Sequence, residues 1–184
     1  QRAPSVHVVR WRTAAEMNGA LGRFSTLLEH PDFCGTLVDP ALQRSLPSSR
    51  YEGHNLYAQT LEAAERTAAA RADTEPGSGL EPAEAAFLEA WRRAGAPAVV
   101  ISAVEGAEGA LRHELQHARY ALEPSFRAAA DAAWAERAHA LDRWMLGLGY
   151  HPSRHADEFA AYVLTEPPGF WRGRLSAADV QGIQ

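Results

Sequence analysis

The chain has no lysine: every one of its basic side chains is an arginine. Together with heavy use of alanine, this reads as a compositional bias of the coding sequence, not as a functional signal. Cysteine occurs once, at Cys34, so no internal disulfide can form and cysteine usage is silent about the redox compartment. No apolar run approaches the roughly 20 residues needed to cross a bilayer, and no membrane association is expected. Excess positive charge is missing too. The formal net charge is −5, which removes the basic footprint expected of a nucleic-acid or anionic-membrane binder. A charged-then-apolar leader is absent and the chain starts at Gln1. The compartment stays open, with a lean towards the cytoplasm.

The 184 residues and 46% hydrophobic content suit one globular domain spanning 1–184. Ser5 to Trp11 is rich in β-branched residues and reads as a strand. Thr13 and Glu16 form a capping box for a short helix starting at Ala14. Residues 31–51 carry three prolines and Gly35; they read as irregular, with one short strand at Gly35–Val38. Gly53–Tyr57 is ambiguous, and Leu56–Ala72 has the composition of a helix. The stretch from Asp73 to Gly79 reads as an exposed connection, within 71–82, leading to a helix over Pro82–Ala94.

Ala98–Ser102 follows as a buried strand whose edge can pair with an extended peptide. A long helix over Ser125–Leu148 carries the stripe Trp134, Ala138, Leu141, Met145 and Leu148, which reads as core. Asp157 is placed to cap a last helix through Leu164, and the tail containing Trp171 packs back on the body. The fold class is therefore α+β, mainly helical with a small mixed β-sheet.

The chemistry concentrates in His113-Glu114-Leu115-Gln116-His117, an H-E-x-x-H sequence. Residues four apart on a helix share a face, so both imidazoles can converge on one metal ion. Glu114 is then near enough to hold a water bound to that metal and to move its proton. On a helical wheel Leu115, Ala118 and Leu122 fall within about 40° of Leu111, with both histidines on the opposite side. A packed aliphatic face set against an imidazole face suits a metal site better than a core helix.

A catalytic zinc needs a third protein ligand. Glu158 is the preferred candidate, in the first turn of the last helix beside small Ala160 and Ala161; Asp157, His155 and His151 remain alternatives. His139, inside the long helix, reads as a surface residue. For stabilising an oxyanion the candidates are Tyr162, one turn from Glu158, and His155, with Arg154, Tyr150 and Tyr120 behind them. Cys34 reads as an ordinary lone cysteine.

His113-Glu114-x-x-His117 with a glutamate on a later helix resembles the gluzincin group of zincin metallopeptidases. The resemblance covers about Ala98 to Leu164. It implies Zn2+ held by His113, His117 and Glu158, with Glu114 as general base and proton shuttle. It also implies a zincin-like fold, with an active-site helix, a second ligand-bearing helix and a strand above the cleft, and it makes the substrate a peptide or protein. In the E-x-x-x-D continuation of the group, Tyr162 stands where the aspartate would be, so no outer aspartate is carried over. Two other functions compete: a non-peptidase metal enzyme using the same site, and a structural-zinc binding module with a fourth ligand from His151 or His155.

Overall fold

The computed structural model describes residues 5–73 and 79–171. Three short strands supply the frame: β1 (Val6–Trp11), β2 (Gly53–Tyr57) and β3 (Val99–Val104). They form one mixed sheet in the order β1-β3-β2, with β1 parallel and β2 antiparallel to β3. Apolar β3, Val-Val-Ile-Ser-Ala-Val, is the central strand, and all but its last residue are buried. Because both of its edges are taken, β3 cannot add a peptide strand, contrary to the sequence expectation. Among the described residues, β1 and β2 are the edge strands, and of the two it is β2 that lies beside α5.

Among the described residues, seven α-helices accompany this sheet: α1 (Ala14–Glu29), α2 (Pro40–Gln43), α3 (Ala58–Ala72), α4 (Pro82–Arg93), α5 (Glu108–Leu122), α6 (Pro124–Leu148) and α7 (His155–Thr165). The molecule is mainly helical, an α+β arrangement as expected. Alternation along each strand sends side chains to two different layers. On one face, Leu56 and Val100 pack against Met17, Leu21 and Phe24 of α1, Leu61 of α3 and Leu88 and Trp91 of α4. On the other, Tyr57, Val99 and Ile101 receive Leu111, Leu115 and Ala118 of α5. The aliphatic stripe of the H-E-x-x-H helix thus lies on the sheet, which turns its histidines away from the sheet and towards α7.

A third core group joins α6 to α7. Leu141 and Met145 meet Phe159, Tyr150 and Trp171, with Trp134 partly buried against them. Gly149 ends α6 with φ 95°, a left-handed conformation that glycine adopts without strain, and the chain turns back into Tyr150. Leu148, expected in the core stripe, is exposed, because the stripe drifts off the contact face near the helix end. Trp171 packs back as expected, while the tail after it lies outside the described residues.

Several local expectations change. The helix begun at Ala14 is 16 residues long instead of short, since its apolar stripe continues to Leu27; Thr13 caps it by accepting from the Glu16 N–H. Gly35–Val38 is not a strand. Gly35 has φ 81°, and the carbonyls of Leu37 and Val38 accept hydrogen bonds from Arg71 and Arg23, which removes them from any ladder. Leu56 and Tyr57 belong to β2 and not to the following helix, because they pair with Val100 and Val99. The expected exposed connection is only partly visible: residues 74–78 lie outside the described residues.

Arg23 is buried in the layer between α1 and α4. It donates to Glu84 at 2.8 Å, with both side chains 2% exposed, and to the carbonyls of Val38 and Gly79. These bonds spread the charge over several acceptors, as a buried guanidinium requires.

Candidate metal centre

Helices α5 and α7 pack together, and their contact brings His113, His117 and Glu158 into one cluster. Each offers one ligand atom, and these atoms lie within 4.8 Å of one another. His113 Nε2 is 3.5 Å from Glu158 Oε2, and His117 Nε2 is 3.5 Å from Glu158 Oε1. Two donors roughly 2.1 Å from a tetrahedral zinc stand about 3.4 Å apart, so these spacings are those of neighbouring corners around one ion. Glu158 Oε2 is buried and has no hydrogen-bond partner. An orphaned carboxylate oxygen facing two imidazoles fits a cation between them.

The outer contacts aim the correct ring nitrogens inwards. His117 Nδ1 donates to Asp157 Oδ1 at 2.8 Å, which leaves Nε2 for the cluster. Asp157 Oδ2 in turn accepts from the Tyr57 hydroxyl at 2.9 Å and from Arg154. Thr165 gives its hydroxyl proton to the Ala161 carbonyl at 2.7 Å, so its oxygen is left to accept from His113 Nδ1 at 3.5 Å. This His–carboxylate–Arg–Tyr chain is the usual way a ligating imidazole is fixed in tautomer and orientation.

Burial alone disfavours a charge on His117. The Asp157 and Glu158 carboxylates outweigh it and push the imidazole up to about 10. Burial likewise raises both carboxylic acids, but His117 overrides it and holds Asp157 and Glu158 below the ordinary carboxylate range. The three groups therefore favour a positive charge among them, whether a proton on His117 or a cation in its place.

Glu114 lies beside the cluster, its Oε2 4.0 Å from His117 Nε2 and 3.3 Å from the Asn55 amide that donates to it. Burial raises its pKa, with the two histidines acting in the opposite direction. Gly53 makes room for it. A Cβ at position 53 would come within 2.7 Å of Glu114 Cγ and Oε1, so any larger residue there would displace the carboxylate.

The cluster opens into a cavity of about 380 Å³ walled by β2 on one side and by α5, α7 and the end of α1 on the others. Tyr162 and Tyr150 line it, their hydroxyls 3.2 Å apart. The Tyr162 ring stands edge-on to His113 with centroids 4.8 Å apart. Burial pushes the Tyr162 hydroxyl up to about 12, so it carries its proton at neutral pH and can donate. A larger cavity of about 570 Å³ lies on the opposite face of the sheet among Trp11, Phe87 and Trp91, and among the described residues no cluster of three metal-ligating side chains lines it.

The other candidates go elsewhere. His155, expected as a catalytic or ligating residue, is turned away from the cluster: Nδ1 faces Asp142 at 3.0 Å and Nε2 the Tyr150 carbonyl at 3.0 Å, with the ring against Trp134. It begins α7 and so falls on the α6 side of that helix. Asp157 is neither a cap nor a ligand, because it lies behind His117. His151 caps the short turn at Pro152–Arg154 through Ser153. Arg154 sits behind the cluster on Asp157 and Tyr57, Tyr120 bonds Asp131 on the surface, and His139 is exposed. Sequence reasoning missed Gly53, Asn55, Tyr57 and Glu29, which reach the site from elements remote in the chain.

A buried polar chain supports β2 from the other side. His54 Nε2 donates to Asn18 Oδ1 at 2.7 Å, Nδ1 accepts from Ser25 Oγ at 2.6 Å, and Asn18 donates to the Tyr51 carbonyl at 2.9 Å. Burial lowers His54 to about 3. A folded-state pKa below the unfolded value near 6.5 means the unfolded chain binds the extra proton. Stability from neutral His54 is thus full above about pH 6.5 and is lost as pH falls towards about 3, at about 1.4 kcal/mol per pH unit. Urea unfolding of the wild type and His54→Gln between pH 7 and pH 5 checks this. The variant is expected to lose stability less steeply on acidification; equal slopes would contradict it.

No protein-family model, no curated protein and no solved structure matches this chain.

Proposed function

We propose that the protein is a zinc-dependent metallopeptidase in which His113, His117 and Glu158 hold the metal and Glu114 is the general base. The observation that carries this is the pair of 3.5 Å approaches between Glu158 and the two imidazoles, with Glu114 alongside. Two imidazoles and a carboxylate are a zinc donor set, and a zinc ion there supplies Lewis acidity, acidifying a water and polarising a carbonyl.

The remaining steps belong to the chain's own side chains. Glu114 accepts a proton from the attacking water and returns it to the leaving amine, and the Asn55 amide holds the carboxylate in place for both transfers. Tyr162, protonated and on the cavity wall, donates to the oxygen that gains charge during attack. Asp157, backed by Arg154 and Tyr57, keeps His117 Nε2 pointed inwards.

Three donors, with a cavity on their open side, favour an enzyme over a closed structural site. His151 and His155, the candidates for a fourth ligand, are both engaged elsewhere. A mixed sheet with an antiparallel edge strand beside the metal helix supports a zincin-like arrangement, and β2, not β3, is the strand on which an extended peptide would lie.

The test is hydrolysis of a fluorogenic peptide mixture by zinc-supplied protein. Cleavage is expected to stop on chelation and to return with zinc. Cleavage insensitive to chelation, or none with zinc bound, would overturn the proposal.

A further inference from the structure

Among the described residues, every buried acid but one faces a basic or hydrogen-bonding side chain. Glu84 has Arg23, Asp157 has His117, Tyr57 and Arg154, Glu114 has Asn55, and Glu158 faces two histidines. Glu29 is different. It is the last residue of α1, only 5% exposed, and no side chain among the described residues hydrogen-bonds or ion-pairs with its carboxyl group. Its backbone is pinned, because the His151 N–H donates to its carbonyl at 2.5 Å. The side chain lines the same cavity as His113, His117 and Glu158.

Leaving an acid buried without a partner is costly, and an uncharged residue of similar size would avoid that cost. A cation arriving in the cavity would supply the partner that the Glu29 carboxylate lacks. The cavity supports the same sign of ligand. Glu29, Glu52, Glu114, Glu158 and Glu166 line it, and no arginine does. A second metal ion is not indicated, since among the described residues the only cluster of three donors is His113, His117 and Glu158. The missing partner is then an organic cation. A protonated amine brings its own N–H donors to a carboxylate.

We infer that Glu29 is a specificity-determining residue whose carboxylate receives an ammonium group of the substrate, so that the site takes peptides or amides carrying a protonated amine beside the bond to be cut. This rests on the metallopeptidase proposal and adds the substrate class. The amine has two possible sources, a free N-terminus or a lysine-type side chain, with the same chemistry at Glu29.

Three p-nitroanilides separate them, each given to the zinc-supplied full chain: leucine with a free amine, N-acetyl-leucine, and N-acetyl-lysine. At least one cationic substrate is expected to exceed N-acetyl-leucine in kcat/KM by about 10- to 100-fold, chiefly through KM. Preference for the first places the amine at the N-terminus, and preference for the third places it on the side chain. Glu29→Gln is expected to collapse the preference and Glu29→Asp to retain part of it, with zinc content measured alongside. Equal rates on all three in the wild type, or a preference that survives Glu29→Gln, would overturn the inference.

If zinc-loaded wild type cleaves none of them, the hydrolase proposal fails, and binding decides the role of Glu29. Calorimetry would compare n-butylammonium, which keeps the N–H donors, with neutral n-butanol, and metal ligation is told apart because it would survive Glu29→Gln. Binding of the cation alone, lost in Glu29→Gln, supports the inference; no discrimination between the two overturns it.

Discussion

Glu114→Gln is expected to lower peptide hydrolysis by about 10²- to 10⁴-fold while leaving the metal in place. The glutamine amide has nearly the shape of the carboxylate and keeps a carbonyl oxygen to accept from Asn55 Nδ2, now at 3.3 Å from Glu114 Oε2. It also respects the close approach of Gly53, so packing between β2 and α5 is preserved. What it cannot do is take a proton. The loss should therefore appear in kcat more than in KM, with zinc content and melting temperature near those of the wild type. Wild-type rates in a zinc-loaded Glu114→Gln protein would remove Glu114 from the mechanism.

The second large effect is expected at Asp157, which touches no substrate. Asp157→Asn still has an oxygen for His117 Nδ1, but it loses the charge that stabilises the imidazole from behind. It also leaves Arg154 without its carboxylate, in a region where Arg154 is buried against Tyr57. Partners of this kind set ligand orientation and basicity, and their loss typically weakens metal binding about 10- to 100-fold. Competition with a chelating dye measures this. The prediction is weaker zinc binding together with recovery of activity when zinc is raised. A merely structural role would lower the melting temperature without that recovery, and unchanged zinc affinity would contradict a positioning role.

The parts of the site legible in the sequence were those encoded locally. His113, Glu114 and His117 share one helical turn, and the aliphatic stripe of Leu111, Leu115 and Ala118 states which face packs on the sheet. Glu158 was accessible at one remove, as an acid in the first turn of a later helix with alanines that permit close packing. Asp157 and His155 stay alternatives in the sequence, because adjacent residues on a helix point about 100° apart and the helix start fixes which of them faces inwards. The helix begins at His155, so His155 falls towards Trp134 and Asp142 while Glu158 faces α5.

The other wall of the site had no local signature. Gly53, Asn55 and Tyr57 are brought to α5 by the register of β2 on β3, about 60 or more positions from the residues they serve. Five residues with buried side chains on both faces carry no alternation to read, which is why Gly53–Tyr57 was ambiguous. Gly35–Val38 failed for the opposite reason. Its composition suits a strand, but two arginines from distant helices claim its carbonyls.

The most direct test is the metal content of the purified protein by inductively coupled plasma mass spectrometry, beside a His113→Ala control. About one zinc per chain, lost in the control, is the predicted result. Two irons per chain, or no metal after zinc is supplied, would contradict a mononuclear zinc centre at His113, His117 and Glu158 and the chemistry built on it.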